Sequence, residues 1–262
     1  MRSHVAVKGV LLATGATALL SIAVAALPAG SGAARAGLVL FTLVKLALLG
    51  AAARWSLASR GRLEAGHPAR RSWCILGAGF LGFLVAHLVL GVEQIVHETP
   101  PFPSVADAIF LPAQVLLATA LAGFLGVYRS SGLFSEEGAR RAGVAIAATA
   151  VVIGVVVLAT VARLPVPWLE RAVDGLYAVL DLAILVPLVL LVRLARHLGG
   201  RVGRVWGLLL AAFAVLSVGD VALGYLAALE AEPPLLLSQF PFLVAYGLAA
   251  AGSRLQLALL SD

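Results

Sequence analysis

Runs of about twenty apolar residues, each long enough to cross about 30 Å of hydrocarbon as a helix, recur along the whole chain. Backbone amides in a bilayer find no water, so each run must satisfy its own hydrogen bonds as a helix. We read eight spans, at about 6–27, 37–58, 73–93, 105–128, 142–162, 172–193, 204–228 and 236–258. Of the 262 residues, 61% are hydrophobic and 12% charged, and the mean hydropathy is +1.04. That is more apolar surface than a soluble domain of this length can hide. The expected fold class is therefore all-α: a polytopic membrane protein forming a single membrane domain of eight transmembrane helices. The first run, MRSHVAVKGVLLATGATALLSIAVAAL, also has the form of a signal peptide, with small residues near Ala25 and Ala26. It is long for that role and is read as a retained helix; cleavage would leave seven spans.

Charge sets the expected orientation. Fifteen of the nineteen lysines and arginines fall at one end of the spans, three at the other (Arg35, Arg163 and Arg171), and Lys45 lies within a span. By the positive-inside rule, this predicts cytoplasmic N- and C-termini in a bacterial inner membrane. The +6 net charge is thereby explained without a nucleic-acid partner, and the bilayer is the expected surroundings. Oligomeric state is not legible. Cys74 is the only cysteine, which excludes an internal disulfide and a cysteine-rich metal site. Gly77, Gly79 and Gly82 read as close helix packing rather than a phosphate loop. A weak echo, Glu98-Thr99-Pro100-Pro101 before span four and Glu232-Pro233-Pro234 before span eight, is what parallel four-helix repeats would leave, or simply two proline-bearing helix starts.

The polar residues within the spans are distributed unevenly. Lys45, His87, Glu93, Asp107, Gln114, Asp174, Tyr177, Asp181, Asp220, Tyr225 and Gln239 all fall in the half remote from the basic end. The other half reads as almost entirely Ala, Leu, Val and Gly. A charge in lipid costs about 2.5–3.5 kcal/mol on the mildest scale, so these groups should face the bundle interior and find partners. Lys45 shares its depth with Asp181 and Asp220, which predicts a Lys–Asp pair or triad. The set Lys45, His87, Glu93, Asp107, Gln114, Tyr177, Asp181, Asp220 and Gln239 is the candidate ligand site, a polar pocket over an apolar floor. The bland alternative is polar side chains that merely join helices, at about 0.6 kcal/mol each. His87 and His97 could in principle hold haem or a metal, but they lie on different elements without further ligands, so no cofactor is expected.

The segment PPFPSVADAIFL, 100–111, stands out against this background. Ser104-x-x-Asp107 is a variant of the capping box, in which the hydroxyl caps the N3 amide and the carboxylate reaches back to the cap amide. With Pro103, Ser104, Ala106 and Asp107, the segment resembles the start of the fourth helix in an eight-helix N-terminal sensor module of bacterial histidine kinases and diguanylate cyclases. Glu93 resembles an acidic residue of that module. YAVLDLAILVPLVLLVRL, with Asp181, and LLLAAFAVLSVGDVALGYL, with Asp220, resemble its sixth and seventh helices. His87, Ile109, Phe110 and Pro112-Ala113-Gln114 depart from its pattern, and no output domain is expected after the spans, as in a stand-alone relative or a split or truncated coding unit. The resemblance implies sensing through a separate partner, a cytoplasmic kinase or cyclase. The competing expectations are a small-solute or proton-coupled transporter using Lys45, Asp181 and Asp220, and a membrane assembly subunit. No acid/base constellation is legible that would make the chain an enzyme.

Overall fold

The computed structural model describes residues 2–25, 31–96, 102–131, 136–196, 200–228 and 235–261. They form eight helices: α1 (Arg2–Ala25), α2 (Gly32–Arg62), α3 (Ala69–Val96), α4 (Asp107–Ser130), α5 (Glu136–Val161), α6 (Trp168–Ala195), α7 (Gly200–Ala228) and α8 (Leu235–Leu259). No strand occurs among the described residues, and all eight helices are long and apolar enough to cross a membrane. Most run a few residues beyond the apolar stretches, because the helix continues through its polar ends. The last turn of α2, for example, carries Arg60 and Arg62.

Six of the helices close a ring in the order α2, α3, α4, α6, α7, α8 and back to α2. The remaining two lie outside it. α1 packs on α8 and, more lightly, on α2; α5 packs chiefly on α6. Val151, Val152, Val155 and Val156 of α5 are exposed, as suits a helix bathed in lipid on most sides. The proline-bearing segments 97–101 and 229–234, where the sequence hinted at a repeat, lie outside the described residues.

The ring is tight where its sequence allows backbones to approach. A Cβ at Gly82 would come 2.6 Å from Ala113 Cβ, and one at Gly79 would come 2.6 Å from Leu117 Cδ2, so α3 and α4 meet through glycine as expected. The ring centre near the basic end is not the plain aliphatic floor expected from the sequence. Trp73 stacks on Trp206 at 6.3 Å between centroids, Phe80 stacks on Phe213 at 6.4 Å, and Phe124 packs edge-on to both tryptophans at 4.8 and 5.0 Å. All five side chains are buried. Such pairs add about 0.5–1.5 kcal/mol each beyond burial. α3 and α7 thus face one another across the ring through side chains rather than through their backbones. The five side chains come from α3, α4 and α7.

Candidate functional site

Above this aromatic plug, in the half remote from the basic end, each of the six ring helices contributes polar side chains. Lys45 comes from α2 and His87 from α3. Asp107 and Gln114 come from α4, Tyr177 and Asp181 from α6, Ser217 and Asp220 from α7, and Gln239 and Tyr246 from α8. Lys45, His87, Gln114, Asp181, Ser217, Gln239 and Tyr246 are buried, whereas Asp107, Tyr177 and Asp220 are partly buried.

The groups sort into two clusters. In the first, the Lys45 ammonium donates to Gln239 Oε1 at 2.5 Å and stands 5.8 Å from the centre of the Phe242 ring. His87 Nε2 is hydrogen-bonded to the Tyr246 hydroxyl at 2.5 Å. The imidazole is walled edge-on by Phe110, Phe242 and Tyr246 at 4.9, 5.9 and 5.1 Å, and the charge of Lys45 reaches it. His87 Nδ1 has no hydrogen-bond partner. In the second cluster, Gln114 Nε2 donates to Asp181 Oδ1 at 3.3 Å, which leaves Gln114 Oε1 without a partner. Ser217 also lies within hydrogen-bonding reach of Asp181. Asp220 lies within electrostatic reach of Asp181, Tyr177 and Tyr246. Tyr246 therefore links the clusters, bonded to the histidine of one and within electrostatic reach of a carboxylate of the other.

The expected Lys–Asp pair does not form. Among the described residues no carboxylate pairs with Lys45, and Asp181 takes an amide instead. The reason is azimuth rather than depth. Among the described residues α2 touches α1, α3 and α8 but neither α6 nor α7, so residues at one depth sit on different walls of the ring. An amide solvates a buried charge through a charge-assisted bond without neutralising it.

The start of α4 keeps half of the expected capping box. The Asp107 carboxylate accepts from the Ser104 amide through Oδ2 at 2.6 Å, as read from the sequence. The Ser104 hydroxyl, however, accepts from Ala106 N–H at 3.2 Å rather than from the amide of residue 107. A turn through Val105 and Ala106 intervenes, and the helix begins at Asp107. The other carboxylate oxygen, Oδ1, accepts from the Tyr177 hydroxyl at 2.6 Å and ties α4 to α6. Asp107 thus closes the turn that precedes its helix and ties that helix to α6.

One residue of the candidate set, Glu93, lies apart, and Tyr225, a polar residue of the same half, lies outside the clusters too. Glu93 is nearly two turns beyond His87 on α3, and its Oε2 has no hydrogen-bond partner. Tyr225 is 50% exposed and faces outward. His97 lies outside the described residues. Conversely, Tyr246, Phe242, Phe110 and Ser217 belong to the site but escaped the sequence reading. Their signal is slight, because an aromatic or serine within an apolar span is ordinary until its helix neighbours are known. No protein family, curated protein or solved structure gives a significant match to this chain.

Proposed function

We propose that the protein is a membrane-embedded sensor of a small polar solute, which it receives in the half remote from its basic end. The observation that carries this reading is that all six ring helices place polar or ionisable groups at one level, with atoms of His87 and Gln114 unsatisfied there. Helix-joining alone requires a pair of partners at each contact. It does not require that every helix meet at the same level above an aromatic plug.

The basic residues support an orientation in which that half faces the periplasm of a bacterial inner membrane and both termini lie in the cytoplasm. A solute at this level touches α3 and α7 at once. Those helices also carry Trp73 and Trp206, so binding biases their packing toward one of two arrangements and changes the basic end. The resemblance of Pro103-Ser104-x-Ala106-Asp107 to kinase and cyclase sensor modules supports a cytoplasmic partner of that kind as the recipient.

The test uses purified protein in lipid nanodiscs and in proteoliposomes, with a panel of amino acids, carboxylic acids, amines and sugars. Sensing predicts a saturable change in tryptophan emission with at least one class and no accumulation of that solute in the liposomes. Accumulation would establish the transporter reading in its place. Silence across the panel would remove the sensing proposal.

A further inference from the structure

The ring is built from two similar three-helix units. In α3, Trp73, Leu76, Phe80, Phe83 and His87 recur at the spacing of Trp206, Leu209, Phe213, Leu216 and Asp220 in α7. Trp73 meets Trp206 and Phe80 meets Phe213, so the correspondence is spatial as well as sequential. In α2, Lys45-Leu-Ala-Leu-Leu49 parallels Asp181-Leu-Ala-Ile-Leu185 in α6, with Lys45, Ala52 and Ser59 buried where Asp181, Leu188 and Ala195 are buried. In α4 and α8, Pro112 and Gly123 share the spacing of Pro241 and Gly252. The ring contacts repeat accordingly: α2–α3–α4 maps on α6–α7–α8, and the two units close on each other through α4–α6 and α8–α2.

The polar level keeps this correspondence but inverts its charge. Where one unit has Lys45 and His87, the other has Asp181 and Asp220. Each unit borrows a neutral amide from the other, Lys45 from Gln239 on α8 and Asp181 from Gln114 on α4. The result is a wall of basic side chains and a wall of acidic side chains, on opposite sides of the ring. Neither is neutralised by the other. The Lys45 ammonium spends one of its three N–H donors on Gln239, and His87 Nδ1 and Gln114 Oε1 are unspent.

A buried charge requires compensation. A single anion would answer only the Lys45 wall, and a single cation only the Asp181 and Asp220 wall. Building on the solute-sensing reading above, we infer that the ligand is a small zwitterion of the amino-acid type. Its carboxylate is taken by Lys45 and His87, its ammonium by Asp181 and Asp220, and it lies alongside Tyr246.

The experiment titrates nanodisc-embedded protein with the standard amino acids and glycine betaine, and with the N-acetyl and amide derivatives of the amino acids, reading thermal midpoint and tryptophan emission. At least one zwitterion should bind saturably, and its N-acetyl derivative and its amide, each missing one charge, should bind at least about tenfold more weakly. Lys45→Met and Asp220→Asn should each weaken the zwitterion by a similar factor, with Lys45→Arg as the charge-retaining control and the unliganded midpoint as the check on folding. The exchange Lys45→Asp with Asp181→Lys should recover binding that either single change loses, because the positions are equivalent. Equal binding of a singly charged derivative would overturn the zwitterion inference and leave solute sensing standing. Silence to every zwitterion and derivative, with a response to the sugars or simple acids of the wider panel, would do the same. Silence to that wider panel as well would overturn both.

Discussion

At the residue scale, Lys45 and Gln239 carry the clearest energetic statement. The amide is the ammonium's hydrogen-bond partner at 2.5 Å, in a site with 2% exposure for each residue. Removing the amide strands a buried charge, whereas removing the charge leaves an amide and an apolar chain. Gln239→Leu should therefore destabilise the unliganded protein by about 1–3 kcal/mol. Lys45→Met should cost less or even stabilise, and the double variant should resemble Lys45→Met. Unfolding in mixed micelles measures all three, and a Gln239→Leu variant as stable as wild type would refute this pairing. Asp107 offers a second comparison. Tyr177→Phe removes only the α4–α6 tie, so it should cost about 0.5–1.5 kcal/mol. Asp107→Ala also removes the acceptor for the Ser104 amide and should cost more in the same assay. Equal losses would mean that the bond to the Ser104 amide contributes nothing.

The element scale shows why some of the site was legible and some was not. Counting residues along a span gives depth, and depth alone was enough to place Lys45, His87, Gln114, Asp181, Asp220 and Gln239 in one half. Partner choice depends on which helices are neighbours. No spacing within α2 reveals that it borders α8 rather than α6, so the Lys45–Asp181 pair was expected and the Lys45–Gln239 pair was missed. The repeat was present in the sequence as the heptad-spaced Trp73, Phe80 and His87 and their counterparts Trp206, Phe213 and Asp220. Packing of α3 on α4 yields a prediction at this scale. Gly82→Ala sets a methyl against Ala113, close to the α4 backbone, and should cost about 1–3 kcal/mol by overpacking. Gly126→Ala meets nothing within 4 Å and should be neutral or stabilise by about 0.5–1 kcal/mol through helix propensity. Thermal unfolding of the two variants in detergent decides, and a reversed order would contradict the α3–α4 contact.

At the scale of the whole molecule, the bundle divides across its thickness: an aromatic plug toward the basic end and a charged level beyond it. A sensor reading needs this asymmetry, because the solute must enter from one side and be stopped. The most direct measurement of that claim is labelling of single cysteines in a Cys74→Ser background, in oriented membrane vesicles, with a small charged methanethiosulfonate reagent. Cysteines replacing His87 and Asp220 should react when reagent is added on the side remote from the basic end and be silent from the basic side. Cysteines replacing Phe80 and Phe213, in the plug, should be silent from both. Reaction at the plug positions from either side, or protection of positions 87 and 220 from both, would contradict a one-sided polar site above a closed aromatic floor.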